Sequence, residues 1–296
     1  MPTGCFIPGL LEFAAFPIAC QVAAVQSSAV RENSFAATPT PPTPRDVFGV
    51  PVHPVGHDQV LDFAQRWVAQ RTGRVVFFAA VATVIEARDV TAFRESLASA
   101  DLILPDGMPV VWTLRCVGVS GQPRLCGPDL MFSLCADAER RQIAVGFYGS
   151  TPEILSRIRQ RLGERFPALQ IGYSYSPPFR PLTTEEESRV LEDIHRSGVG
   201  FLFVGLGCPK QEIWMARVKA RSRVVMFGVG GAFPVAAGIH ALPPTWAQRI
   251  GLQWAFRLSQ EPRRLWRRYL FHNARFLWIV IRGGLAGLHN RWSRQR

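Results

Sequence analysis

Beyond residue 45 the chain alternates two kinds of apolar pattern. Short, nearly continuous runs are "RVVFFAAV" (74–81), "DLILPDG" (101–107), "IAVGFYGS" (143–150), "LQIGYSYS" (169–176), "GFLFVGLG" (200–207) and "RVVMFGVGG" (223–231). Their length and their β-branched and aromatic content predict buried strands. Between them, apolar residues recur at spacings of three and four, which predicts helices. Val60, Leu61, Phe63, Ala64, Trp67 and Val68 start the series; "VTAFRESLASA" (90–100), "MPVVWTLRCVG" (108–118) and "GPDLMFSLCADAERR" (127–141) continue it. "TPEILSRIRQRLGERF" (151–166) begins with Thr151 as N-cap and Pro152 at its first position. "TTEEESRVLEDIHRSG" (183–198) opens on hydroxyl caps and acids and closes on Gly198, and "PKQEIWMARVKAR" (209–221) follows. Strands alternating with helices predict an α/β fold: an open, mostly parallel, Rossmann-like sheet with helices on both faces and right-handed crossovers.

The pattern changes at both ends. Residues 243–296 read as an Arg/Trp-rich helical appendage to an α/β domain over 46–242. Residues 1–45 end in "ATPTPPTPR" (37–45), a proline-rich linker. Apolar patches precede it, but Glu12 and Pro17 interrupt them and no basic residue leads them. A secretory signal needs both features. The segment is therefore expected to be a disordered extension or a misassigned start. No run reaches the ~20 apolar residues of a membrane span.

Charge sharpens this division. The net charge is +12, and residues 249–296 hold eleven arginines against one acid, Glu261. The body is close to neutral, so an anionic partner is expected at the tail. The six cysteines include no CxxC pair and no Cys/His cluster, so no metal site is expected from them. They read as small buried hydrophobes of a reducing compartment.

Ligands of open α/β sheets sit outside the carboxyl ends of the strands. Three such ends carry glycine: Gly149-Ser150-Thr151, Gly205 and Gly207 ahead of Pro209, and Gly228, Gly230 and Gly231. Each is either an ordinary tight turn or a place where backbone N–H groups and a helix N-terminus approach a nucleotide diphosphate. Neither GxGxxG nor GxxxxGK[ST] is present. Lys210, one of two lysines among thirty-four basic residues, stands at the start of a helix. A cation there opposes the helix dipole unless an anion is bound. Gln211 and Glu212 beside it are candidates to bond a base or ribose, Glu212 alternatively being a capping acid.

Asp106 leaves a buried strand and runs into a helix with Pro109 in its first turn. It reads either as an N-cap or as a general base, and one carboxylate could serve both. Asp129 reads as a helix cap. No DxD occurs, so a departing diphosphate would need its countercharge from Lys210, helix ends and the tail arginines. No cofactor is expected. In the tail, Leu265, Tyr269, Phe276, Leu277 and Val280 recur near helical spacing with arginines between them. This is an amphipathic helix in the plane of an anionic membrane surface, or an ordinary helix packed on the core. Nucleic acid is not expected as a partner, since no helix-turn-helix, finger or RNP pattern is present.

These stretches together resemble the WecG/TagA/CpsF family of bacterial glycosyltransferases over about 47–270. The most specific are "ADLILPDGMPVVW", "FYGSTPEIL", "FLFVGLGCPKQEIWMA", "GVGGAF" and "LPPTWAQRIGLQWAFRLSQEPRRLWRRYL". The resemblance implies an inverting, metal-independent transferase that moves an N-acetylmannosamine-like sugar from UDP to an undecaprenyl-diphosphate-linked acceptor. "SPPFRPLT" and "GPDLM" suggest a branch associated with exopolysaccharide assembly. It implies Asp106 as base, with Arg257, Arg264 and Arg267 of the appendage completing the catalytic set. Gly107, Gly149, Ser150, Thr151, Gly205, Gly207, Pro209, Lys210, Gln211, Glu212, Gly230 and Gly231 would surround UDP. Arg263, Arg268, Trp278 and Arg282 would touch the membrane, placing the enzyme peripherally on the cytoplasmic face. A homo-oligomer is admitted. Two departures stand out: Phe78 and Ala80 replace a Thr-x-Asn-like pair, and Pro234 replaces an aspartate. They imply altered sugar specificity or, alternatively, a non-catalytic sugar-nucleotide-binding or scaffold homologue.

Overall fold

The structure, a computed structural model, describes residues 40–293, with no side chain described for Arg249, Arg264, Arg268 and 283–293. It begins with a hairpin, β1 (Arg45–Val47) and β2 (Val50–Val52). Phe48 and Gly49 turn it with φ of 53° and 95°, the positive values that two-residue hairpin turns require. Then follow α1 (His57–Gln70), β3 (Arg74–Ala79), α2 (Val81–Asp89), α3 (Thr91–Ala98), β4 (Leu102–Pro105), α4 (Met108–Cys116) and α5 (Gly127–Arg141). The second half runs β5 (Val145–Gly149), α6 (Pro152–Arg165), β6 (Ile171–Tyr175), α7 (Thr184–Arg196), β7 (Phe201–Gly205), α8 (Lys210–Val218) and β8 (Val225–Gly228). Short α9 (Phe233–Ala236) and α10 (Thr245–Arg249) lead to α11 (Gln253–Gln260) and the long α12 (Pro262–Ser293).

The six strands β3–β8 form one sheet in the order β4-β3-β8-β7-β5-β6, every pair parallel. The chain builds outward through β3 and β4, crosses to β5 and β6, then returns through β7 and β8 to lie beside β3. This reversal leaves a crevice at the carboxyl ends of the central strands. Side chains alternate between two cores. Val76, Leu104, Phe147, Phe203 and Phe227 face α1, α5, α6 and α9. Val75, Phe77, Ile103, Leu202, Val204 and Met226 face the other helices. Both faces are covered, which is why these strands read as unbroken apolar runs.

Two elements escape the sequence pattern. Helix α2 follows β3 directly, and "VATVIEARD" has no polar stripe because Thr83, Val84, Ile85 and Ala87 are all buried. The hairpin is short, yet Val47, Val50 and Val52 are fully buried. It is held to β4 by His53, whose N–H donates to the Ile103 carbonyl (2.9 Å) and whose Nδ1 accepts from the Ile103 amide (3.0 Å).

Helix α12 packs on α2 through Phe276 and Ile279. The ring of Phe48 meets Phe276 edge-on at 5.5 Å, and Arg275 pairs with Asp89 through two bonds of 2.5 and 2.8 Å. One face of the tail is thus an ordinary packed helix. Leu270, Phe271, Leu277, Trp278 and Ile281 remain exposed.

Candidate active site

A cavity of about 390 Å3 opens at the carboxyl ends of β3, β4, β7 and β8 and is bounded by α11 and the loop before α10. Asp106 lines it from the end of β4. Its amide and that of Gly107 both donate to the Ala79 carbonyl, at 3.0 and 3.2 Å, which fixes the turn. The N-cap of α4 is Gly107, so the Asp106 carboxylate is not spent on capping. The side chain is 27% exposed, while its Oδ1 is buried and accepts no hydrogen bond. Burial holds its carboxyl above the usual carboxylate range, against the pull of Arg124 and Arg257 and aided by Asp129. Asp129 is in the first turn of α5, whose N-cap is Cys126.

Arg124 was not read from the sequence. The loop that carries it is drawn to the sheet by the Leu125 amide, which donates to the Pro105 carbonyl at 2.8 Å. The Arg124 side chain is only 10% exposed, and Nη1 stands 3.8 Å from Asp106 Oδ1. Its guanidinium donates to the carboxamide oxygens of Gln253 and of Gln248, the latter at 2.5 Å. One buried cation therefore joins the acid to α10 and α11. Only its place just before "LCGPD" could have marked it.

The glycine turns divide into two groups. At Gly149 (φ 114°) a Cβ would stand 2.6 Å from the Gly205 carbonyl carbon. At Gly205 a Cβ would stand 2.5 Å from the Phe233 ring. These glycines serve close packing, the bland alternative, and neither lines the cavity. Ser150 and Thr151 lie away from it too. The Ser150 amide donates to Gly205, its carbonyl accepts from Ser176, and Thr151 caps α6. Gly207, Gly230 and Gly231 do line the cavity. Gly207 has φ 83° and open space where a Cβ would be. A Cβ on Gly231 would stand 2.9 Å from the Arg257 guanidinium, so that glycine makes room for the arginine.

Gln211 is buried, and its Oε1 accepts from the amides of Gly207 (3.1 Å) and Gly230 (3.2 Å), while Nε2 donates to Glu212 Oε1 at 2.8 Å. Its carboxamide oxygen is committed to the two glycine turns, and the side chain lines the cavity beside Glu212. Lys210 stands apart from the cavity lining. It is exposed at the first position of α8 and does not line the cavity, because α8 turns its next residues, Gln211 and Glu212, inward. Pro209 precedes it, and the half-buried Cys208 lines the cavity.

Of the tail arginines, Arg257 lines the cavity from α11, alongside Gln253, Gln260 and Glu261. His240 Nε2 and Glu261 Oε1 pair at 2.7 Å, and Gln260 makes two 3.2 Å bonds to the Ala241 backbone. These contacts close α11 over the pocket. Arg267 is not brought in. It stands two positions past buried Leu265, about 200° around the helix, and is exposed with its guanidinium over the Trp266 ring. The side chains of Arg264 and Arg268 lie outside the described ones. Arg263, Trp278 and Arg282 are exposed on α12, with Arg282 over the Trp278 ring at 4.6 Å. Among the described residues no three His, Cys, Asp or Glu side chains gather as a metal site.

An acid and glycine turns meet at the carboxyl rim of a parallel sheet and are closed by an arginine-bearing helix, at the rim where α/β enzymes hold their ligands. The pattern of the glycosyl transferase WecG/TagA/CpsF family matches residues 45–290, and the chain belongs to that family of glycosyltransferases. It is 31% identical to an N-acetylglucosaminyldiphosphoundecaprenol N-acetyl-beta-D-mannosaminyltransferase of Bacillus spizizenii (strain W23), over 69% of this chain and 77% of the relative. A Bacillus subtilis (strain 168) protein of the same name is 26% identical over 71% of this chain and 80% of its own.

Proposed function

We propose that the chain transfers an N-acetylmannosamine-like sugar from a UDP-sugar to a polyprenyl-diphosphate-linked acceptor, with inversion, in building a cell-surface polysaccharide. The observation that carries this reading is Asp106 lining the same glycine-edged cavity as Arg257. The names of the relatives support the acceptor class.

The reaction is a single displacement. The acceptor hydroxyl attacks the anomeric carbon, its oxygen forming the new glycosidic bond while the bond from that carbon to the diphosphate oxygen breaks. Asp106 takes the hydroxyl proton. Its raised affinity for a proton makes it a better acceptor near neutral pH than an ordinary aspartate. Negative charge grows on the diphosphate, and the Arg257 guanidinium with the amide of Gly231 supports it. No step calls on a metal.

A lipid-linked acceptor requires contact with a bilayer. No described helix is long and apolar enough to cross a membrane. The exposed Leu277, Trp278 and Ile281 beside Arg282 support a peripheral contact, with aromatic and arginine side chains at the anionic interface. In this reading residues 243–296 are the membrane-contacting appendage of an α/β catalytic domain, on the cytoplasmic face.

The test is transfer from radiolabelled UDP-N-acetylmannosamine to a synthetic N-acetylglucosaminyl-diphosphate-polyprenol, with the product's anomeric configuration read by NMR. Wild type should give an inverted product and Asp106→Asn almost none. Equal turnover by both proteins sinks the assignment of Asp106, and no transfer from any UDP-sugar sinks the reaction.

A further inference from the structure

Glu212 is a buried acid, 4% exposed, in the lining of the cavity. It stands at the third position of α8, from which an acid commonly reaches back to the amide of the N-cap residue. Here the N-cap is Pro209, which has no N–H, so that use is closed to it. Its Oε1 accepts from Gln211 Nε2 at 2.8 Å, which fixes how the carboxylate is turned. The oxygen of the same Gln211 side chain holds the Gly207 and Gly230 turns. A carboxylate accepts hydrogen bonds and donates none, and it repels a phosphate. The ligand group it suits is a hydroxyl. Gly207, in the turn from β7 into α8, leaves open space where a Cβ would be.

Strand order decides which hydroxyl. The cavity runs along the sheet in the order β4-β3-β8-β7. Asp106 follows β4, Gly231 follows β8 and Glu212 follows β7. Three strand intervals of about 4.8 Å, roughly 14 Å in all, separate the first end from the last. In a nucleoside-diphosphate sugar the anomeric carbon, the diphosphate and the ribose come in that same order. With the anomeric carbon at Asp106 and the diphosphate at Gly231 and Arg257, the ribose falls at the end of β7. We infer that Glu212 accepts a hydrogen bond from the ribose of the donor and makes the site selective for ribonucleotides over deoxyribonucleotides. A carboxylate serves the ribose of dinucleotides in the same way in other α/β sheets. Loss of a hydrogen bond to a carboxylate amounts to about ten- to hundredfold in affinity, which sets the expected size of the preference. The inference rests on the donor-site reading above and adds which part of the donor this acid recognises.

The experiment measures dissociation constants of the full chain by calorimetry for UDP, 2′-deoxy-UDP, 3′-deoxy-UDP and UDP-N-acetylmannosamine. UDP should bind about tenfold or more tighter than at least one of the two deoxynucleotides, and which one identifies the hydroxyl. Glu212→Gln keeps the size of the side chain and should shrink that ratio to about threefold or less. Glu212→Ala should shrink it too, a second route if the first variant does not fold. A ratio is read because a general loss of affinity, as from a loosened Gln211, does not alter it. UDP that binds no better than either deoxynucleotide, or a preference that survives both variants, overturns this inference alone. So does a variant that binds UDP normally and loses affinity only for UDP-N-acetylmannosamine, which puts the acid at the transferred sugar. Failure of UDP itself to bind overturns the donor-site reading and this inference with it.

Discussion

The carboxamide oxygen of Gln211 lies 3.1 Å from the amide of Gly207, across the gap between the ends of β7 and β8. The same oxygen also takes the Gly230 amide. One side chain thus sets the spacing of two turns that line the cavity. Gln211→Ala leaves both amides without that partner. The loss should cost about 1–3 kcal/mol of stability and about tenfold or more in UDP affinity. Urea unfolding and calorimetry measure the two effects. Normal UDP binding would show that the turns do not need the tie.

Asp106 should oppose stability while serving catalysis. Its proton affinity is higher in the folded protein than in the unfolded chain, so folding favours the protonated acid. That contribution is fully present below the unfolded-state value, about pH 4, and is lost as pH rises through the folded-state value. Asp106→Asn should therefore melt above wild type at neutral pH, with the gap closing toward about pH 4, while transfer falls about a hundredfold or more. Differential scanning at several pH values, beside transfer assays, checks both. A variant that melts lower at neutral pH would contradict the assigned shift.

The two candidate phosphate cations should behave differently. Arg257→Ala removes a guanidinium that lines the cavity and should weaken UDP binding about tenfold or more. Lys210→Ala removes an exposed side chain and should change affinity by less than about threefold. The order of the two losses in calorimetry is the readout; a larger effect at Lys210 would overturn the placement.

Arg124→Lys keeps the charge but loses the planar fork that reaches both Gln248 and Gln253. It should loosen α10 and α11, seen as faster amide exchange over residues 245–260, and should lower kcat about tenfold. Unchanged exchange would mean that the helices are held by other contacts.

How far the sequence reached follows from what each residue faces. The strands and the main helices were legible because burial on both faces makes unbroken apolar runs and because amphipathic helices carry stripes. Helix α2 was not, because it is buried on most sides. Asp106 was legible at the rim of a strand, where the chain itself puts a carboxylate at the ligand edge. The placement of Lys210 was not legible, since a spacing argument does not tell which side of a helix's first turn faces inward, and Gln211 beside it took the inward place. Arg124 was invisible because its partners, Asp106, Gln248 and Gln253, are distant in sequence and meet only in the folded chain. Gly149 and Gly205 looked like ligand turns, but the Gly205 backbone and the Phe233 ring fill the space a side chain would need.

The tail offers the sharpest contrast between neighbours. Phe276 is buried against Phe48, while Leu277 and Trp278, one and two positions on, are exposed. Phe276→Glu should bury a carboxylate without a partner and cost several kcal/mol, about 3–5, lowering the melting temperature whether or not lipid is present. Leu277→Glu with Trp278→Glu should leave the melting temperature within about 2 °C, because neither side chain is packed. The same pair should abolish sedimentation with vesicles of mixed neutral and anionic phospholipid, since acids replace the apolar groups at an interface that attracts Arg282. Vesicle sedimentation and thermal melts on the two variants separate a packing role from a membrane role. If the double variant still sediments with anionic vesicles, this face of α12 is not where the protein meets a membrane.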